Sequence, residues 1–307
     1  LILFGPSALS GWRVLSEIEL PELLPWNEAS GAGIPLRIER AAPGQLAAEL
    51  PRPGFSPLGE AAAGGGLLHI PDLALYRIHP GGSLVSIAPF EDSDPLVVRA
   101  YLYGTVFAVL CFMRGVLPLH GAAVLADGGA IVLSGPSGAG KSTLATALAQ
   151  RGRTLLSDDV CPLDLTDPTH PLLWPAFPRV KLREDAIAAL GLDAATTRTR
   201  APRGEKGHYG VAQLALEKLV TEAVPLAAVY ALSEHSSDRP AAIRMTTPEA
   251  FTFINSQIHR GGIGRRLGLT TELFRQACTV AAAVPVYRLD RPRELERLAE
   301  VAALLPG

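Results

Sequence analysis

The sequence predicts a mixed α/β protein: an α/β domain built on a central sheet, preceded by a smaller β-rich N-terminal domain. Three observations carry this reading. Beyond about residue 94, apolar strand-like runs alternate with helical patterns, the arrangement that covers a sheet with helices. One strand-to-helix junction is Gly135-Pro136-Ser137-Gly138-Ala139-Gly140-Lys141-Ser142, which fits the phosphate-loop pattern G-x-x-x-x-G-K-[ST]. Before residue 94, short alternating runs separated by Gly and Pro clusters read as half-exposed strands. The domains read from this pattern are 1–93 and 94–307.

In the N-terminal part the alternating runs are 12–15, 34–38 and 73–78, broken by Gly64-Gly65-Gly66 and Pro80-Gly81-Gly82. The acidic stretch Glu91-Asp92-Ser93-Asp94-Pro95 then opens a helix, with Ser93 or Asp94 as N-cap and Pro95 in the first turn. This helix runs through the uncharged segment 100–113, between Arg99 and Arg114, and ends near Gly115. The apolar run is too short to span a bilayer comfortably and reads as a buried helix, so no membrane partner is expected. Strands follow at 119–125 and 130–134, joined by a turn at Asp127-Gly128-Gly129. Then come a helix over Lys141–Gln150, a strand at 154–157, a helix at 184–190, a strand at 226–232, a helix at 248–257 and a strand at 284–289. An amphipathic helix at 293–305 closes the chain, and no internal repeat is evident.

Composition narrows the function classes. Hydrophobic residues make up 48% and charged residues 19%, which predicts a sizeable core and excludes wholesale disorder. A formal net charge of -2 leaves no basic surplus to neutralise phosphates along a nucleic acid, so that partner class is not expected. Cys111, Cys161 and Cys278 lie far apart and match no metal or redox spacing; they read as buried thiols of a reducing compartment. No secretory signal is legible at the start of the sequence, and the expectation is a cytoplasmic protein.

The phosphate loop requires these residue types for physical reasons. Its glycines let backbone N–H groups turn inward around phosphate oxygens, and the helix that follows adds its positive end. The expected nucleotide-binding set is Gly135, Ser137, Gly138, Ala139, Gly140, Lys141, Ser142 and Thr143. Lys141 can reach the β- and γ-phosphates, and the Ser142 hydroxyl can ligate Mg²⁺. Asp158-Asp159 ends the next strand, only seventeen positions after Lys141. Consecutive strand residues point in opposite directions, so one carboxylate can face the metal while its neighbour faces an acceptor hydroxyl. Phosphoryl transfer uses that division of labour. His120, in Leu119-His120-Gly121-Ala122, begins the strand that leads by a tight turn into the phosphate-loop strand. It can tune one of the aspartates.

Taken in order and spacing, Leu119-His120-Gly121-Ala122, the phosphate loop through Thr143, and Arg151-Gly152-Arg153-Thr154-Leu155-Leu156-Ser157-Asp158-Asp159-Val160 resemble the catalytic domain of HPr kinase/phosphorylase. That family shares its core with phosphoenolpyruvate carboxykinases. The resemblance is close over residues 119–160 and weaker over 284–304. It implies an ATP- and Mg²⁺-dependent serine kinase with Asp158 as general base, His120 beside it, Lys141 on the phosphates, and Ser142 and Asp159 holding Mg²⁺. HPr kinases are hexamers, which raises homo-oligomerisation as an expectation. The sequence also departs from the family. In place of the downstream signature Glu-Ile-Arg-Gly-Leu-Gly it carries Trp174-Pro175-Ala176-Phe177-Pro178-Arg179-Val180-Lys181-Leu182, so neither reverse phosphorylase activity nor HPr as substrate is implied. The N-terminal region is also unlike that of HPr kinases. The chain looks more like the divergent HPr-kinase-like proteins of peptide modification, including lasso-peptide tailoring kinases that phosphorylate a C-terminal serine.

Two basic segments, 198–208 and 259–266, read as mobile loops able to close over phosphates or hold an acidic acceptor, with Arg179 and Lys181 as further cations. The expected function is phosphorylation of a serine hydroxyl in a peptide or small protein. The alternatives are an HPr-type kinase/phosphorylase, a small-molecule kinase, and a non-catalytic nucleotide-binding regulator.

Overall fold

The structure, a computed structural model, describes residues 2–58, 64–176, 179–192, 197–199, 209–213, 220–233, 239–292 and 297–306. In chain order the strands of the first part are β1 (Phe4–Leu9), β2 (Trp12–Ser16), β3 (Leu24–Pro25), β4 (Ile34–Arg40), β5 (Gly54–Pro57), β6 (Gly66–Ile70), β7 (Ala74–Ile78) and β8 (Leu84–Pro89). The short helix α1 (Pro43–Leu46) follows β4; α2 (Pro95–Tyr101) and α3 (Phe107–Met113) follow β8, joined by a π-helical stretch Leu102–Val106. Next come β9 (Leu117–Ala126), β10 (Gly129–Ser134), α4 (Lys141–Gln150), β11 (Leu155–Asp164), β12 (Leu172–Leu173), β13 (Arg179–Arg183) and α5 (Glu184–Ala189). The remainder is β14 (Thr197–Thr199), β15 (Tyr209–Gln213), β16 (Val224–Leu232), β17 (Ala241–Arg244), α6 (Thr247–Ser256), α7 (Gly261–Arg266), α8 (Thr270–Ala283), β18 (Val286–Asp290) and α9 (Leu298–Ala302).

The chain divides into two compact units. The first comprises Leu1–Pro118 together with His259–Phe274. Its sheet has the order β3-β1-β2-β4-β8-β7-β6-β5, with β2–β4 and β4–β8 parallel. Trp12, Val14 and Ser16 alternate inward along β2, as the sequence pattern requires, while β7 and β8 are buried along most of their length. The helical segment from Pro95 to Met113 is long and apolar enough to cross a membrane by composition alone, but 72% of its most apolar window is buried within the protein. Asp94 caps it, accepting from Leu96 N at 2.9 Å.

That helix explains a difference from the expected boundary at residue 93. Being apolar all round, it must be covered on every side. Phe107 meets Trp12 edge-on at 5.3 Å, and Tyr76 donates its hydroxyl to the Val98 carbonyl at 2.9 Å. The helix therefore belongs to the first unit, which extends through Pro118. Segment 259–266 returns to the same unit and is not a loop. It forms α7, in which Ile263 and Gly264 are buried and Arg265 and Arg266 remain exposed in the last turn. A Cβ at Gly264 would come within 2.8 Å of Leu273 Cδ1 and 3.2 Å of Phe112 Cζ, so this glycine serves close packing. Of the other basic segment, Arg198 and Thr199 lie in β14 and residues 200–208 fall outside the described ones.

The second unit comprises Leu119–Ile258 and Arg275–Gly307. Its main sheet runs β10-β9-β11-β12-β16-β18-β17, and β10 also pairs with β16. Strands β10, β9, β11, β12 and β16 thus close into a ring. The pairs β10–β16 and β16–β18 are parallel, so these three strands end on one side. Ile131, Val132, Leu133 and Val229 are fully buried, as expected for parallel strands covered on both faces. Leu144, Ala145 and Leu148 of α4 join the same core. A small sheet, β13-β15-β14, accompanies them. The expected strand at 154–157 continues to Asp164, and residues 293–296 of the expected last helix fall outside the described ones. Cys111 and Cys161 are buried free thiols, whereas Cys278 is partly exposed.

The first unit also contains a buried ionic cluster. Arg99 Nε donates to both carboxylate oxygens of Glu22, at 2.9 and 3.0 Å, and the Tyr103 hydroxyl donates to Glu22 Oε2 at 3.0 Å. Removing one partner strands the other charge, at a cost of about 3–5 kcal/mol. Arg99→Met is expected to lower the unfolding free energy from urea denaturation by that amount, and adding Glu22→Leu to restore part of it; a single mutant as stable as the parent would contradict the role of the pair.

Candidate active site

The site grows from the end of β10. Ser134 pairs with Gly121 of β9, and its hydroxyl donates to the His120 carbonyl at 2.6 Å. The chain then turns through Gly135 (φ 150°), where a Cβ would lie 2.6 Å from the Leu232 carbonyl oxygen. It enters α4 through Gly140, which is left-handed at φ 81° and ψ 23°. Ser137 and Gly138 are exposed at the mouth of the turn, while Ala139 is buried and Thr143 half-buried.

Lys141 is only 7% exposed, and its Nζ donates to the Gly135 and Pro136 carbonyls, each at 3.0 Å. Burial lowers its pKa; the nearby Asp158 and Asp159 carboxylates oppose that shift. Next to it, Ser142 Oγ donates to Asp158 Oδ1 at 2.8 Å. Asp158 Oδ2 accepts from the Lys181 backbone N–H at 3.1 Å. Asp158 is 3% exposed. Its pKa is raised, first by burial and then by Asp159, while the Ser142 and Lys181 hydrogen bonds pull it down. A hydroxyl and a buried carboxylate at the start of a phosphate-loop helix form an oxygen donor pair suited to a hard divalent cation. The residues fit Mg²⁺, and the ion would offset the cost of that buried charge.

Asp159 faces elsewhere. It is left-handed at φ 73°, which interrupts the regular alternation of β11, and the Ser157 hydroxyl donates across this point to the Val160 carbonyl. Its carboxylate is partly exposed and lies 3.4 Å from His120 Nδ1 and 3.4 Å from Lys181 Nζ. His120 Nδ1 also donates to the Asp159 carbonyl at 3.0 Å, which sets the ring orientation. The His120 backbone N–H donates to the Gln257 carbonyl at 2.8 Å.

The structure therefore brings Lys141, Ser142, Asp158, Asp159 and His120 together within the second unit. The contacts pair Ser142 with Asp158, and His120 with Asp159, the reverse of the pairing that the family resemblance implies. Lys181 touches both aspartates, one through its backbone and one through its side chain. Arg291 was not singled out in the sequence, yet its Nη2 donates to the Ala139 carbonyl within the loop. The available signal was topological: Arg291 follows β18, which is parallel to β16 as β16 is to β10, so it leaves the sheet at the same end as the loop.

No protein-family model matches the chain, and no curated protein is similar to it in sequence. Among solved structures, the Hpr(Ser) kinase/phosphatase from Coxiella burnetii aligns with 61% of this chain and 93% of its own, at 14% identity and a TM-score of 0.31. At that score the likeness carries no argument about chemistry, which rests on the residues themselves.

Lys141→Ala removes the loop's buried ammonium. Binding of ADP with Mg²⁺, measured by calorimetry, is expected to weaken roughly ten- to a hundred-fold, the scale of one charge-assisted hydrogen-bonding group. Unchanged affinity would remove Lys141 from the site.

Proposed function

We propose that this chain is an ATP- and Mg²⁺-dependent phosphotransferase that moves the γ-phosphoryl group onto a serine hydroxyl of a peptide or small protein. The observation that carries the reading is the division of the acidic pair. One carboxylate is locked to the phosphate-loop serine, and its neighbour is turned to a histidine. Simple nucleotide binding needs only the first of these, which weighs against a non-catalytic regulator.

In this reading the loop N–H groups and Lys141 bind the phosphates, and Ser142 with Asp158 would hold the metal. When bound, the ion would supply positive charge to the transferring phosphates. Asp159 orients the acceptor hydroxyl and takes its proton, and His120 fixes the position of that acid. Lys181 balances the charge of the two aspartates. These roles exchange Asp158 and Asp159 relative to the family resemblance, and the Ser142–Asp158 hydrogen bond is the reason. The serine acceptor rests on the resemblance of residues 119–160 to HPr serine kinases, and a peptide carrier on the departures from that family downstream. A serine hydroxyl is barely acidic, so transfer depends on holding it in line with the phosphoryl group.

Incubation of the protein with ATP, Mg²⁺ and serine peptides, an HPr-type protein, free serine or a sugar, followed by mass spectrometry, tests the acceptor class. A gain of one phosphate on a peptide is expected; transfer only to free serine or sugar would overturn the acceptor reading. Asp159→Asn is expected to slow transfer by roughly two orders of magnitude with nucleotide binding retained. Asp158→Asn is expected to raise the Mg²⁺ concentration needed. If the metal requirement follows Asp159 instead, the two roles revert to those implied by the resemblance.

A further inference from the structure

We infer that Arg291 is a second phosphate-binding cation of this loop, taking oxygens of the nucleotide's diphosphate alongside Lys141; the inference rests on the phosphate-loop reading above. Arg291 is the first residue after β18, which lies parallel to β16 as β16 does to β10. All three strands end on the loop side. The guanidinium is laid against the loop where α4 begins. A Cβ built on Gly140 would stand 2.8 Å from Arg291 Nη2, 3.5 Å from Cζ and 3.6 Å from Nη1. The bare backbone at Gly140 is what lets the cation approach this closely.

The charge environment points to an anion. The neighbouring carboxylate, Asp290, is engaged by Arg288 at 2.9 and 3.2 Å and by the Ser233 hydroxyl at 3.4 Å. Among the described residues no carboxylate pairs with Arg291. Among the described residues its Nε, shielded from water, has no hydrogen-bond partner, and the Ala139 carbonyl accepts from its Nη2. Burial lowers its pKa. A partly buried cation with no counter-charge among the described residues gains from an anion. A guanidinium offers five donors in a fork that matches a phosphate, whereas one carbonyl uses only part of it. If the side chain were needed only to strap the loop, a neutral amide donor would serve equally well.

Calorimetry on the full chain with inorganic pyrophosphate, ADP and adenosine separates the two roles. Arg291→Gln keeps a donor and loses the charge. It is expected to weaken pyrophosphate and ADP roughly ten-fold, the scale of one charged phosphate contact, without changing adenosine. The dependence of affinity on salt should also become shallower. Pyrophosphate affinity unchanged in Arg291→Gln but lost in Lys141→Ala would overturn the role of Arg291 and leave the phosphate loop standing. A parent protein that binds neither pyrophosphate nor ADP would overturn both. If Arg291→Gln does not fold, Arg291→Lys decides: it keeps the charge but loses the fork. A loss of about three-fold or more in pyrophosphate affinity then supports the inference, and an unchanged affinity sinks it.

Discussion

The site depends on one buried carboxylate. Asp158 comes from β11, accepts from the first turn of α4 through Ser142, and accepts from the backbone of β13 through Lys181. Three elements meet on its two oxygens. A charge this deeply buried is tolerated only where donors converge on it, so the position of each element is tied to the others. The same convergence prepares an oxygen pair for a divalent cation, because a donor hydroxyl and a carboxylate already face each other.

Around it the sheet supplies rigidity and direction. The pairing of β10 with both β9 and β16 leaves neither side of the phosphate-loop strand unpaired. Parallel β10, β16 and β18 bring Gly135, Ser233 and Arg291 out at the same end, and backbone glycines there let a lysine and an arginine crowd onto one turn. The result is a short loop flanked by cations, with two acids just beyond it. Lys141 and Arg291 both spend donors on loop carbonyls. In the proposed site each would exchange those carbonyls for phosphate oxygens.

Much of this was legible in the chain. Lys141–Gln150 has the bounds read from the sequence, because an apolar strand, a glycine turn and a helix-forming run each signal locally. His120, Ser142, Asp158 and Asp159 could be nominated from order and spacing. Which acid meets Ser142 could not, since that depends on the left-handed turn at Asp159 and on β13, a strand far away in sequence. Arg291 carried no motif and owes its place to sheet order alone. The glycine-rich run at 259–266 looked like a mobile loop because glycine signals turns more often than close packing. Its helix is specified by Phe112 and Leu273, which local sequence does not reveal. Composition changes near residue 93, whereas the first compact unit runs through Pro118, because an apolar helix joins whichever core can cover it.

The backbone at Asp159 carries an evolutionary consequence. At φ 73° the position suits Asp, Asn or Gly, and penalises longer or branched side chains. Glutamate, the obvious chemical relative, is a poor substitute there. The permitted exchange to asparagine removes the charge and leaves the chain trace intact. Under the role proposed for Asp159, one such inconspicuous replacement silences transfer without straining the backbone. Under that same proposal, the identity of the residue at this left-handed position says more about activity than the course of the chain around it.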